Sequence, residues 1–402
     1  MSRENSKKYL FVLGNNPELS AAEIGAVLNL DKIDKKDFNP PLLVVEKKVD
    51  AEILIKKLGG TIKIAEIIGE NLSKDEIIDV IVNDLKNRDS KIHFGLSDYS
   101  EKTQENLYRL KTIGLESKKN LKALGLSVRF AYNNEQILSS VSVDKNFLIK
   151  KGGEYIYIWK NSGFVLAKTL AVQPFENFGE RDFGRPGRDS LSGMLPPKLA
   201  LMMLNLAKIS PSDTLLDPFC GSGTILTEAI NLGVKNVIGT DNSERAIMDT
   251  KKNVEWMTSS NTFNFQLSTF NSFVSPVENI SEHLPNNSVN AIVTEPYLGK
   301  PLKGFEPRGI LINQAEDLKG LYLRAFAEFK KILKPGGTII FIIPCFKQGK
   351  NWIKINLEQE LSKIGFKNEP LITIDGKKYS SILYSRNDQH VGREIWRFIL
   401  EK

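Results

Sequence analysis

The stretch Asp213-Thr-Leu-Leu-Asp-Pro-Phe-Cys-Gly-Ser-Gly-Thr224 constrains this chain more than any other part of it. Its apolar start reads as a short strand closed by Asp217, its middle as a sharp turn, and its end as the entry to a helix from Ile225 to Leu232. Gly221 and Gly223 let the turn's backbone approach a ligand closely, and a helix start offers N–H groups that have no partner inside the helix. A second apolar run, Val237-Ile-Gly-Thr240, ends at Asp241. The two acids are spaced as one strand–helix–strand unit would space them. In such a unit the acid ending the second strand accepts hydrogen bonds from ribose hydroxyls.

The expected ligand is not a dinucleotide. That fingerprint needs Gly-x-Gly-x-x-Gly, and Leu226 stands where the third glycine belongs. The loop also opens with Asp217-Pro218, and a carboxylate there repels a pyrophosphate but suits a cation. S-adenosylmethionine joins a nucleoside to a sulfonium and an ammonium, so it satisfies both acids. Asp217, Pro218, Phe219, Gly221, Gly223, Thr224, Asp241 and Asn242 are the expected cofactor-binding residues.

With 402 residues the chain has room for two or three domains, each with its own core. No apolar run approaches the roughly 18 residues that a membrane span needs, and the first residues lack the apolar core of a signal peptide. Two cysteines, Cys220 and Cys345, support neither a disulfide framework nor a zinc site, so a reducing cytoplasm, no metal and no membrane are expected. The net charge is +7 and unevenly spread: residues 91–190 hold 16 Lys/Arg against 11 Asp/Glu, whereas residues 1–90 hold 14 against 16. The basic middle lies outside the cofactor unit. It reads either as a solvated face or as a surface for a polyanion.

Taken in order, the chain opens with a strand at Lys8 to Leu13, a helix begun at Asn15 to Ile24, a strand at Leu42 to Glu46, a helix at Ala51 to Leu58 and a strand at Thr61 to Ile68. Such interleaving predicts a small α+β domain over residues 1–73. Asp31 to Asp37 reads as a surface turn. Residues 74–172 then give a helix at Lys74 to Asn87, a strand at Lys91 to Leu96 and a long helix at Ser100 to Leu124. Strands follow at Ser127 to Tyr132, Phe147 to Lys150 and Glu154 to Trp159. Arg109, Lys118, Lys119 and Lys122 on the long helix, with Arg129, are placed to track a phosphate backbone. Residues 173–190 are rich in Gly, Pro and Arg and read as a linker loop whose Arg181, Arg185 and Arg188 are further phosphate or base contacts.

Residues 191–402 are the expected catalytic domain. A helix at Leu199 to Ala207 precedes the first strand, and after Asp241 the alternation continues: a helix at Glu244 to Trp256, strands at Phe263 to Leu267 and Val289 to Thr294, a helix at Leu318 to Leu333, a turn at Lys334 to Gly337 and a buried strand at Thr338 to Ile343. A helix at Trp352 to Ile364 and a hairpin of Ile382 to Arg386 with Glu394 to Leu400 close the sheet. The fold class is thus α/β, a Rossmann-like doubly wound domain behind an α+β N-terminal region. The strand Val289 to Thr294 empties into Glu295-Pro-Tyr-Leu-Gly299 at the edge where a doubly wound sheet binds its ligand.

That loop resembles the Asp-Pro-Pro-Tyr or Asn-Pro-Pro-Tyr loop of amino-group methyltransferases. There the acid or amide and a proline carbonyl accept hydrogen bonds from an exocyclic NH2, and an aromatic ring stacks on the base. An arylamine lone pair is delocalised into its ring, so aligning it on the methyl group removes much of the barrier. Glu295, Pro296, Tyr297 and Leu298 are therefore the candidate catalytic residues.

Four further segments resemble the THUMP-domain tRNA guanine-N2 methyltransferases of archaea and eukaryotes that modify guanosine 10: 9–20, 181–189, 192–199 and 384–394. The resemblance spans nearly the whole chain. It implies a ferredoxin-like domain followed by a THUMP domain that grips tRNA, then an S-adenosylmethionine-dependent domain that reaches a flipped guanine. The helix-opening segment adds Pro196 and Lys198 to the cofactor set. Eukaryotic relatives work with a small activator protein.

Two departures from the family pattern stand out. Glu295-Pro-Tyr-Leu replaces Asp-Pro-Pro-aromatic, and Ser268-Thr-Phe-Asn271 lacks the acid usual after the third strand. Alternatives follow: the same fold acting on ribosomal RNA or a DNA amino group, or an RNA-binding protein that holds S-adenosylmethionine with impaired catalysis.

Overall fold

The computed structural model describes residues 7–160, 162–188, 194–259, 269–386 and 388–402, and divides the chain into two compact units. The first takes in residues up to Asn15, Lys36–Lys57 and Thr61–Glu176; the second takes in Asn16–Lys35, Leu58–Gly60 and Asn177–Lys402.

The first unit is built on an eight-stranded mixed sheet. Phe38–Asn39, Leu42–Glu46, Lys8–Leu13, Thr61–Leu72, Gly163–Val172 and Gly152–Lys160 follow one another antiparallel, and Ile92–Asp98 and Val128–Ala131 then add in parallel. One sheet therefore runs through both segments expected on either side of residue 73. Gly163–Val172 is the long strand that the sequence reading lacks, and it joins the two halves. The helices that pack on the sheet include Lys74–Leu85 and Gln104–Ala123. The first starts at a capping box: the Ser73 hydroxyl takes the Glu76 N–H while the Glu76 carboxylate takes the Ser73 N–H. The expected strand at Phe147 to Lys150 is a helical turn, Leu148–Lys151, because Phe147 takes a left-handed conformation (φ 55°) and turns buried Leu148 toward the Ile92–Asp98 strand at Gly95.

In the second unit five strands run parallel in the order Thr269–Val274, Asn236–Asp241, Thr214–Asp217, Val289–Thr294 and Leu333–Gln348. Val391–Leu400 and Phe366–Asn368 extend the sheet antiparallel. The order reverses at Thr214–Asp217. Loops leaving its carboxyl end and that of its neighbour diverge there, which opens a crevice beside Asp217 and Glu295. The strand through Ile339 to Phe346 is buried throughout, as a strand with both faces covered must be.

The helix Arg308–Ile332 sets Leu311, Leu318, Tyr322, Phe326 and Phe329 into one core with Ile339, Phe341 and Phe398. Phe326 meets Phe341, Phe366 and Phe398 edge-on with ring centroids 5.1–5.4 Å apart. Each such pair contributes roughly 0.5–1.5 kcal/mol beyond its buried area.

Three expectations are corrected here. Lys334 to Gly337 is not a turn between elements. It is a bulge inside the Leu333–Gln348 strand, with Gly336 at φ 79° and the register jumping from Val289↔Leu333 to Ala291↔Thr338. The start of the expected helix at Trp352 to Ile364 is a strand, Asn351–Lys354, folded back on Cys345–Gln348 through Gly349 (φ 60°); only Glu358–Lys363 is helical. The 173–190 linker is helical over Phe175–Gly179 and Glu180–Gly184.

The N-terminal helix Pro17–Leu28 belongs to the second unit. Buried Glu23 accepts the Gly59 and Gly60 N–H groups at 2.8 Å each and the Asn205 amide at 2.7 Å. That bond to the helix Pro197–Leu206 ties residues distant in sequence into one unit. The surface turn expected at Asp31 to Asp37 instead holds a short strand, Lys32–Ile33, which pairs in parallel with Ile372–Ile374.

Candidate active site

A cleft of ≈ 730 Å³ opens at the switch point, lined from the ends of four parallel strands. Thr214–Asp217 delivers Asp217, Pro218, Phe219, Cys220 and Gly221; Asn236–Asp241 delivers Asp241 and Asn242. Thr269–Val274 delivers Ser275, Val277 and Glu278, and Val289–Thr294 delivers Glu295, Pro296, Tyr297 and Leu298. The residues expected from two separate motifs thus line one cavity.

Local chemistry fixes the turn. Gly221 (φ 54°) and Gly223 (φ 83°) hold left-handed conformations that glycine adopts without strain. The Gly221 N–H donates to the Asp241 carboxylate at 3.0 Å, and Asp241 also takes the Ser243 N–H at 3.0 Å. Each bond uses one oxygen, and a carboxylate's remaining lone pairs can accept from hydroxyls. Gly239 lets Leu226 and Cys220 press against the strand where a Cβ would collide with Leu226 and crowd Cys220.

Asp217 is buried, and its Oδ1 accepts the Thr294 hydroxyl at 2.6 Å and the Phe219 N–H at 3.2 Å. Burial pushes its carboxyl up to about 7, with the Asp241 and Glu295 charges adding to the rise. Among the described residues, five carboxylates line the cleft (Asp217, Asp241, Asp249, Glu278 and Glu295) against two cations, Arg245 and Arg393. This donor set fits S-adenosylmethionine: an acid-walled cavity suits a sulfonium and an ammonium, and Asp241 ends the second strand where a ribose diol is recognised.

At the far wall Arg393, on Val391–Leu400, donates its Nε–H to Glu295 Oε1 at 2.5 Å. Tyr322 from the long helix donates its hydroxyl to the Tyr297 carbonyl at 2.7 Å, and Gln314 accepts the Lys300 N–H at 3.1 Å. The loop after Thr294 is thus pinned from behind. Tyr297 remains 55% exposed at the mouth, where a base could stack. Sequence reasoning missed Thr294, Tyr322 and Arg393, although Arg393 stands in one of the segments singled out for family resemblance.

Other expected residues fall elsewhere. Gly223, Pro196 and Lys198 are not among the lining residues; Met194 and Leu195 occupy that wall. Lys198 lies over the Phe178 ring at 5.2 Å. The strand expected at Phe263 to Leu267 and residues Ser192 and Ser268 lie outside the described residues. The described strand ends at Val274, so Ser275 to Glu278 face the cleft and Thr269 to Asn271 do not.

Two of the expected RNA contacts are corrected. Arg181 is buried and paired with Glu228 at 2.6 Å while covering the Phe178 ring, and Arg185 is buried on the Thr224 hydroxyl at 2.5 Å. Gly187 exchanges hydrogen bonds with the Asn253 amide, which also holds the Ser222 carbonyl. This arginine-rich segment braces the cofactor turn. Arg188 is exposed. In the first unit Lys119, Lys122 and Arg129 are exposed and Lys118 is half-buried; Arg109 is engaged by Glu105 at 2.9 Å and by the Phe164 ring.

Residues 185–362 match a family profile described as an RMKL-like methyltransferase domain. The second unit carries an S-adenosylmethionine-dependent methyltransferase domain. A second profile, described as a DNA methylase, matches residues 67–252. The tRNA (guanine(10)-N2)-dimethyltransferase of Methanothermobacter thermautotrophicus is 26% identical over 345 residues, covering 82% of this chain and 86% of that relative. The enzyme of the same name from Methanocaldococcus jannaschii is 24% identical over 87% of this chain and 92% of its own length. The crystal structure of TrmN from Thermus thermophilus shares the fold, with 15% identity, a TM-score of 0.52, and 98% of this chain and 99% of that one covered. The chain is a homologue of the archaeal tRNA guanine-N2 enzymes. No described helix is long and apolar enough to cross a membrane.

Proposed function

We propose that this chain methylates the exocyclic N2 amino group of guanosine 10 in tRNA, in the cytoplasm, using S-adenosylmethionine. The observation that carries the proposal is the sharing of one cleft by the acid-walled cofactor turn and the Glu295–Leu298 loop. Bound in that cleft, the cofactor supplies an electrophilic methyl group. Asp217 and Asp241 hold its cationic and ribose ends, and the walls around Phe219, Val277 and Leu321 exclude water. Glu295 accepts a hydrogen bond from the substrate NH2 and turns its lone pair toward the methyl; Tyr297 stacks on the base. As the N–C bond forms, the sulfonium's bond to that methyl would break, its electron pair staying on sulfur as a neutral thioether; the amine becomes cationic, and its surplus proton leaves toward the Glu295 carboxylate or water.

The same proposal makes residues 74–172 a THUMP domain and the segments before residue 73 a ferredoxin-like one. Lys118, Lys119, Lys122, Arg129 and Arg188 then contact tRNA phosphates. A DNA substrate is the second reading, favoured by the 67–252 match, but that match ends before Glu295 and leaves out the loop that would hold a base. Methyl transfer from the purified chain alone to bulk tRNA, ribosomal RNA and DNA, followed by nucleoside analysis, separates these readings. N2-methylguanosine and its dimethyl form are expected from tRNA. Transfer only after addition of a partner fraction would indicate an activator protein, and methyladenosine or DNA products would reject the proposal.

A further inference from the structure

We propose that Arg393 is the positioning residue for Glu295, and that this ion pair fixes the glutamate carboxylate in one rotamer facing the cleft. The inference rests on the methyltransferase reading above and deepens it. Three observations carry it. Arg393 reaches the cleft from the antiparallel strand Val391–Leu400, opposite Pro344 on the central strand, and donates Nε–H to Glu295 Oε1 at 2.5 Å. Both side chains are only 14% exposed, so the pair is largely shielded from water and held by packed elements. Among the described residues no other group bonds the Glu295 carboxylate, which leaves Oε2 for the substrate amine, and none accepts from the Arg393 Nη atoms.

The physical need follows from the side chain. Glutamate is longer than aspartate by one C–C bond of about 1.5 Å and has one more rotatable torsion. Left alone, its carboxylate would spread over several rotamers and present Oε2 to the amine in only some of them. Arg393 fixes one rotamer by holding Oε1. The extra length is then used to reach Arg393, and the second oxygen stands at a fixed place. Aspartate at 295 falls short of Arg393 and loses this restraint.

The test uses the full chain and whichever nucleic-acid amino group the wild type methylates. Wild-type transfer to tRNA guanosine N2 reports on the underlying reading; the ratio of variant to wild type reports on Arg393. For Arg393→Gln a roughly 10- to 100-fold fall in kcat is expected, with KM for the nucleic acid and the dissociation constant for S-adenosylmethionine within about twofold of wild type. Arg393→Lys should recover part of the loss, and Arg393→Gln should add little to Glu295→Ala, because coupled partners are not additive. Independently of activity, the Arg393 Nε–H resonance in a 15N-arginine spectrum should be protected from exchange in the wild type and lose protection in Glu295→Ala. Wild-type kcat in Arg393→Gln, an additive double variant, or an unprotected Nε–H would each overturn the proposal. Loss of cofactor binding together with kcat would reduce Arg393 to a structural role and overturn it as well.

Discussion

Asp217 and Glu23 share a condition that few surface acids meet. Both are buried, and burial pushes each carboxyl up to about 7 against the pull of its hydrogen bonds. Each therefore binds a proton more tightly folded than unfolded, where values lie near about 4. Between those limits the folded state holds the extra protons, so stability falls as pH rises through that window. The thermal midpoint of the cofactor-free chain should drop from about pH 5 to about pH 7.5, and by less in Asp217→Asn. Ligand binding runs the other way. A cationic cofactor needs the ionised Asp217, so calorimetry should find tighter S-adenosylmethionine binding at pH 8 than at pH 6, approaching tenfold per unit well below the carboxyl's own value of about 7. Asp217→Asn should weaken binding and flatten that dependence. A wild type with pH-independent affinity would remove Asp217 from the cofactor site.

Glu295 raises a different question at the same scale. Replacing it with Gln keeps the shape and removes the charge that accepts the amine's hydrogen bond, a loss of roughly 1.5–3 kcal/mol. Turnover should fall about 10- to 100-fold with cofactor affinity unchanged, read from single-turnover rates and calorimetry. Because Arg393 holds the longer side chain, Glu295→Asp should also fall below wild type. An aspartate variant faster than wild type would mean that Glu295 is poorly matched to its site.

At the scale of elements, the cofactor turn depends on a brace that carries no ligand chemistry of its own. The pair of Arg181 and Glu228 is 6% and 1% exposed. Removing one partner strands the other charge, which typically costs about 3–5 kcal/mol. Glu228→Ala should therefore lower the denaturant midpoint sharply and loosen the Gly221–Thr224 turn. Replacing both residues by apolar side chains of similar volume should cost far less. If Glu228→Ala unfolds at the wild-type denaturant concentration, the segment is only a linker. This brace also explains a limit of sequence reading. Gly, Pro and Arg in 173–190 do mark irregular backbone, but nothing local says that Arg181 and Arg185 turn inward to partners at 228 and 224.

For the whole molecule, the division into units changes which experiment tests RNA binding. The helix Pro17–Leu28 and residues 58–60 belong to the second unit through Glu23, so an N-terminal fragment would be cut away from part of its own chain's packing. The full chain is the better subject. Lys119→Glu with Lys122→Glu should weaken tRNA binding and make the slope of log affinity against log salt shallower, by roughly 1 for each phosphate no longer neutralised. Methylation of a saturating substrate should change little. Mutants with the wild-type slope would assign this basic helix a solvated role.

The sequence alone determined what depends on local patterning. Asp217 and Asp241 at strand ends, the glycine pair of the turn, and Glu295 after an apolar strand are visible because strand, turn and helix signals lie within a few residues of each chemical group. Ambiguity began where apolar runs were short, as at Leu148–Lys151 and Asn351–Lys354, or where an unbroken strand hid behind a glycine bulge, as at Leu333–Gln348. The tertiary structure alone decided the pairings between residues far apart in the chain. Arg393 meets Glu295 across 98 positions, and Asn205 meets Glu23 across 182. Such contacts are set by strand order and helix packing, which bring together side chains whose own neighbourhoods carry no trace of the partner.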